Sequence, residues 1–74
     1  MEKLLELLEE IDADIDFRGC KTLIDDAILD SFAILEIVSE INDEFDVQIG
    51  ASDIIPENFN SAEGMWNMIQ NLKA

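Results

Sequence analysis

Asp30-Ser31-Phe32 places a hydroxyl between a carboxylate and an aromatic ring, inside a long stretch without positive charge. Between Lys21 and Lys73 lie 51 residues that carry 11 carboxylates and neither Lys nor Arg. A serine in that setting has two available roles. It can start a helix, or it can be a handle that other proteins find through the negative field around it. Catalysis of its own is excluded, because the chain has no histidine and no Ser-His or Cys-His arrangement can form within one subunit. Covalent chemistry at Ser31 must therefore be done by a partner that brings its own catalyst. A helix N-terminus at this point would favour an attached phosphate or phosphodiester. From the residues alone, the modified serine and the plain helix-start serine stand level.

Other groups capable of chemistry have simpler readings. Asp12, Asp14 and Asp16 alternate as oxygen ligands do at the start of a calcium loop. Phe17 then stands where such a loop needs glycine, and Leu23 where it needs a bidentate Glu, so no metal site is expected. Cys20 is the only cysteine, flanked at short range by Arg18 and Lys21, and reads as an inert thiol rather than a nucleophile. Trp66 reads as a packing residue. Carboxylates are plentiful, but a chain of 74 residues leaves little interior for an active-site cleft, and the protein reads as noncatalytic.

The same length bounds the architecture to one domain, residues 1–74, near the size where a single core suffices. An apolar content of 49% is too high for a disordered acidic tail despite a formal charge of -14. Eighteen acids against four bases repel one another in the compact state, so salt or divalent cations should stabilise it. That field excludes nucleic-acid binding, which needs a basic footprint. Partners should instead present Lys and Arg. No run reaches the roughly 18 apolar residues of a membrane span. Met1-Glu2-Lys3-Leu4 lacks the basic and apolar regions of a secretory signal, and one cysteine allows no internal disulfide. A cytoplasmic monomer is the expectation.

Four helical segments must position these groups. Leu4, Leu5, Leu7, Leu8 and Ile11 recur at helical spacing and predict a first helix ending near Ile11. Residues 12–29 form a long connection, with a turn at Gly19 and room for a short helical turn, anchored by Leu23, Ile24, Ile28 and Leu29. The strongest helix runs from about Ser31 to Phe45, with Asp30 as its N-cap and no capping box. Phe32, Leu35, Val38, Ile41 and Phe45 are expected on its buried side, widened by Ile34 and Ile37. Glu36, Glu40, Asp43 and Glu44 should form a continuous anionic ridge outside. Val47-Gln48-Ile49-Gly50 is β-prone but has no partner strand, and reads as a linker whose Val47 and Ile49 dip into the core. Pro56 opens a brief turn over residues 57–60, and Ser61 caps a last helix with Ala62, Met65, Trp66, Ile69 and Leu72 on one side. The fold class is an all-α, small four-helix bundle of three main helices and one short one.

Leu29-Asp30-Ser31-Phe32, opening an apolar-acidic helix that ends Glu44-Phe45-Asp46-Val47-Gln48-Ile49, resembles the acyl carrier proteins. Glu57-Asn58-Phe59-Asn60-Ser61 before a final helix is similar to the same family. The resemblance covers nearly the whole chain and rests on the order and spacing of these motifs together. It implies that Ser31 receives a 4'-phosphopantetheine arm from coenzyme A, transferred by a holo-carrier-protein synthase with a divalent cation. It also implies that the thiol of the arm carries an acyl group as a thioester between partner enzymes. Asp30 would flank the attachment point, and Glu36 and Glu40, with Asp43 and Glu44 as weaker candidates, would meet basic patches on partners. A charged rather than apolar exposed face suits such brief encounters.

Fatty-acid carriers usually read Asp-Leu-Gly-Ala-Asp-Ser before the modified position, whereas this chain reads Asp26-Ala27-Ile28-Leu29-Asp30-Ser31. The Leu-Asp-Ser form is similar to D-alanyl carrier proteins and to free-standing carriers of specialised bacterial clusters. The Asn58-Phe59-Asn60-Ser61 segment is closer to the fatty-acid and polyketide type. A free-standing fatty-acid or polyketide-type carrier ranks first, serving acyl-handling, ketosynthase or adenylation-type enzymes, and a D-alanyl or aminoacyl carrier second. A noncatalytic acidic interaction domain, binding basic proteins through the helix after Ser31, is the alternative from outside the family.

Overall fold

A computed structural model describes residues 1–73; Ala74 lies outside them. The chain forms α1 (Glu2–Ile11), α2 (Ser31–Phe45), a short α3 (Pro56–Phe59) and α4 (Ala62–Lys73), with a 3-10 turn at Ala51–Asp53. There is no strand among the described residues, so the all-α, four-helix reading holds, including its division into three main helices and one short one.

The helices α2, α3 and α4 begin or end on a local signal. The Asp30 carboxylate accepts the Ala33 N–H at 2.8 Å, which satisfies one of the donors that a helix N-terminus leaves free. The Ser61 hydroxyl does the same for the Gly64 N–H at 2.9 Å at the head of α4. Pro56 occupies the first turn of α3, where its missing N–H costs nothing. α2 stops at Asp46, which takes the left-handed conformation (φ 53°) that usually falls to glycine. Lys73 Nζ reaches the Phe45 carbonyl at 3.4 Å and places a cation at this negative end of α2.

The core is assembled from all four helices and the long connection. Leu4, Leu5, Leu7 and Leu8 of α1, Ile37, Ile41 and Phe45 of α2, Phe59 of α3, and Ala62, Met65, Met68 and Ile69 of α4 are buried together. Phe17, Leu23 and Leu29 plug in from the connection, so residues 12–29 are anchored. Within that connection the Asp26 N–H bonds to the Thr22 carbonyl at 2.8 Å, the short helical turn for which there was room. Val47 and Ile49 pack half-buried against the core, and Asn42 Oδ1 of α2 accepts the Ile49 N–H at 3.0 Å to hold them there. Trp66 meets Phe45 edge-to-face with ring centroids 5.9 Å apart, a packing role.

Three expectations are corrected. Phe32 and Leu35 are not on the buried side of α2: they are 75% and 62% exposed. Ile28 does not anchor the connection and is 42% exposed. Ile28 is left outside because the next residue, Leu29, takes the place in the core; for α2 the reason is geometric. Ile34, Ile37, Val38, Ile41 and Phe45 already complete one stripe at helical spacing, and Phe32 lies on the opposite side of the helix from Ile41.

Candidate functional site

Ser31 is the first residue of α2 and its side chain is exposed. The residues before it form a tight loop rather than a free strap. Leu23 is fully buried, and its carbonyl accepts the N–H groups of Ile28 at 2.9 Å and Leu29 at 3.0 Å. Ala27, between them, adopts a positive φ of 55°. Leu29 then buries its side chain, and Asp30 turns the backbone into the helix in an extended conformation.

The first turn of α2 has spare donors. Asp30 Oδ1 takes the Ala33 N–H and the Asp30 carbonyl takes that of Ile34 at 3.0 Å. Among the described residues, the N–H groups of Ser31 and Phe32 meet no acceptor. An anionic group on the Ser31 oxygen would therefore sit beside free donors at the positive end of a 15-residue helix. In that respect the residues present fit a phosphodiester at Ser31.

The exposed surface of α2 is mixed. Phe32, Glu36, Ser39 and Asp43 follow one another at spacings of four, three and four and form its outer row. Leu35 stands one turn beyond Ser31, also open to solvent. Thus the hydroxyl has large apolar side chains near it, with acids further along the helix, and the face is not purely charged.

The four acids after Ser31 are all exposed, but they divide between two rows. Glu36 and Asp43 lie outside, with Phe32. Glu40 and Glu44 turn toward α1 and, with Glu6, Glu10, Leu7 and Lys3, line a surface trough of 440 Å³. Lys3 Nζ pairs with Glu44 Oε1 at 3.1 Å. Arg18 is likewise engaged, donating to Glu9 at 3.1 Å and Glu2 at 3.2 Å. These bonds, Glu9 first and then Glu2, raise its pKa further and keep it charged. Three of the four basic residues thus lie in or near α1 and the connection after it.

The groups with simpler readings have structural tasks. Asp12 Oδ1 accepts the Asp14 N–H and Asp16 Oδ1 that of Gly19, so two acids of the alternating series close turns. Cys20 is a free, half-buried thiol beside Thr22. The apolar surface near Ser31 escaped sequence reading, although one signal was present: α2 has more large apolar residues than one buried stripe can hold.

No family model matches the chain. Over 47 residues it is 40% identical to the probable acyl carrier protein PigG of Serratia sp. (strain ATCC 39006). That stretch is 64% of this chain and 54% of that protein, so the chain spans about half the length of the curated relative it matches.

Proposed function

We propose that residues 1–74 act as one carrier domain, modified at Ser31 with 4'-phosphopantetheine and loaded with acyl intermediates as thioesters. The observation that carries this reading is the exposed Ser31 hydroxyl at a helix N-terminus with spare N–H donors, framed by exposed Phe32 and Leu35. The partial similarity to a probable acyl carrier protein supports it. In the transfer, Ser31 Oγ would attack the β-phosphorus of coenzyme A. The bond to 3',5'-ADP would break, and the serine proton would pass to a base on the transferase, since this chain has no histidine. The arm, once attached, supplies a thiol that can form the thioester.

The role of the protein's own residues is presentation. Asp30 caps α2 and sets the serine at its mouth. Glu36 and Asp43 on the outer row, and Glu40 and Glu44 toward α1, meet Lys and Arg on a partner and speed its approach. Phe32 and Leu35 enter an apolar recess inside that basic rim. Fatty-acid or polyketide-type acyl groups are the cargo in this reading, with D-alanine or another amino acid the second choice.

The test is a mass measurement. Incubated with coenzyme A, magnesium and a broad-specificity transferase, the protein gains the mass of one arm, and Ser31→Ala gains none while keeping its helical circular dichroism. An unchanged mass with several transferases, on demonstrably folded protein, would overturn the proposal. Binding to basic partners that survives Ser31→Ala and fails on charge reversal of Glu36 and Glu40, without any loading, would favour the acidic interaction domain instead.

A further inference from the structure

Besides the buried side chains of Leu23 and Leu29, the loop that presents Ser31 is fastened by hydrogen bonds to one distant residue. Asn60, between α3 and α4, accepts the N–H groups of Ile24 at 2.9 Å and Asp25 at 3.0 Å on its side-chain oxygen. Its amide nitrogen donates to Asp25 Oδ2 at 3.2 Å, and its carbonyl accepts the Leu23 N–H at 3.0 Å. Among the described residues, every hydrogen bond from residues 22–29 to a distant part of the chain runs through Asn60. Leu23 relays the restraint, because its own carbonyl holds the Ile28 and Leu29 N–H groups directly before the Asp30 cap.

We propose that Asn60 is a positioning residue for modification at Ser31, an inference that rests on the carrier reading above. The clamp holds a loop with a reason to move. Ala27 sits in the left-handed region, which is unfavourable for a residue with a Cβ. Without the side chain of Asn60, the loop can relax Ala27 to a negative φ, and that change displaces Ile28, Leu29 and the Asp30–Ser31 junction. The amides of Ile24 and Asp25 can turn to water, and Phe59 and Leu23 still hold the core. The fold survives, while the fraction of molecules presenting the hydroxyl correctly falls. Apparent affinity for the transferase falls by that same fraction.

The decisive experiment compares loading kinetics of the full chain with variants Asn60→Ala, Asn60→Asp and the double exchange Asp25→Asn with Asn60→Asp. The single Asn60→Asp change sets two carboxylates against each other. The double exchange restores donor and acceptor in reversed order. With coenzyme A and a transferase, Asn60→Ala and Asn60→Asp should each raise the KM for the carrier roughly tenfold with kcat retained. Amide exchange at Ile24 and Leu29 should quicken in the same variants, and the double exchange should return both readouts to the wild-type values. A lowered melting temperature with unchanged KM in the single variants would mark Asn60 as merely structural and overturn the inference. A double exchange that folds but does not recover KM would overturn it too. Should Asn60→Ala not fold, the Asp and exchange variants decide alone. A wild-type chain that takes no arm would sink the carrier reading itself, an outcome distinct from either.

Discussion

Lys3 Nζ lies 3.1 Å from Glu44 Oε1 and ties the first turn of α1 to the last turn of α2. The two helices therefore run antiparallel, with Glu6 and Glu10 facing the side of α2 that carries Glu40 and Glu44. One of the chain's four basic residues is spent softening this acidic trough, while Glu36 and Asp43 remain on the free outer row.

Lys3→Ala should change stability by less than about 0.5 kcal/mol at moderate salt, because both partners are open to solvent. The trough would lose its positive charge. Raising sodium chloride toward about 0.5 M should lift the melting temperature of both proteins, and that of the variant more steeply. Melting curves at two salt concentrations check this, and equal salt slopes would contradict it.

Phe32 and Phe59 should respond oppositely to truncation. Phe59 is fully buried, and Phe59→Ala should cost about 3–5 kcal/mol. That is a large part of the stability of a small domain, roughly 4–11 kcal/mol at this length. Phe32→Ser should alter stability by no more than about 0.5 kcal/mol and, under the carrier role proposed above, slow the loading of Ser31. Urea unfolding and loading rates, measured on the same samples, separate the two effects.

Ala27→Gly should stabilise the fold by about 1 kcal/mol, since glycine accepts the φ of 55° without a Cβ clash. Thermal unfolding gives the sign directly. A loss of stability would mean that the Ala27 methyl contributes more than its backbone strain costs.

Gly64→Ala inverts the usual rule for helices. Alanine in a helix interior is normally better than glycine by about 1 kcal/mol. Here an added Cβ would meet the Glu57 carbonyl oxygen at 2.7 Å and the Ser61 hydroxyl at 3.3 Å. Backbone of α3 would have to move, so the substitution should cost roughly 1–3 kcal/mol, measurable by urea unfolding.

Asp30 and Ser61 mark helix starts that were readable from sequence, because a cap is a contact between residues three positions apart, and Pro56 marks another because its own ring fixes φ; none of these needs anything from the rest of the fold. The leucines of α1 likewise revealed their buried side, since Glu2, Glu6 and Glu10 occupy the other. The exposed serine beside Asp30 was legible for the same local reason. Tertiary structure decided which side of α2 is covered. Apolar residues sit on most of its circumference, so periodicity could not choose, and packing in the shared core buried Ile37 and Ile41 while leaving Phe32 and Leu35 in water. It also decided the task of Asn60. An asparagine between two helices is unremarkable in a sequence, and only the folded chain brings it to Ile24 and Asp25, 36 and 35 residues away. Local chemistry set where the serine sits; long-range packing set what surrounds it and what holds it in place.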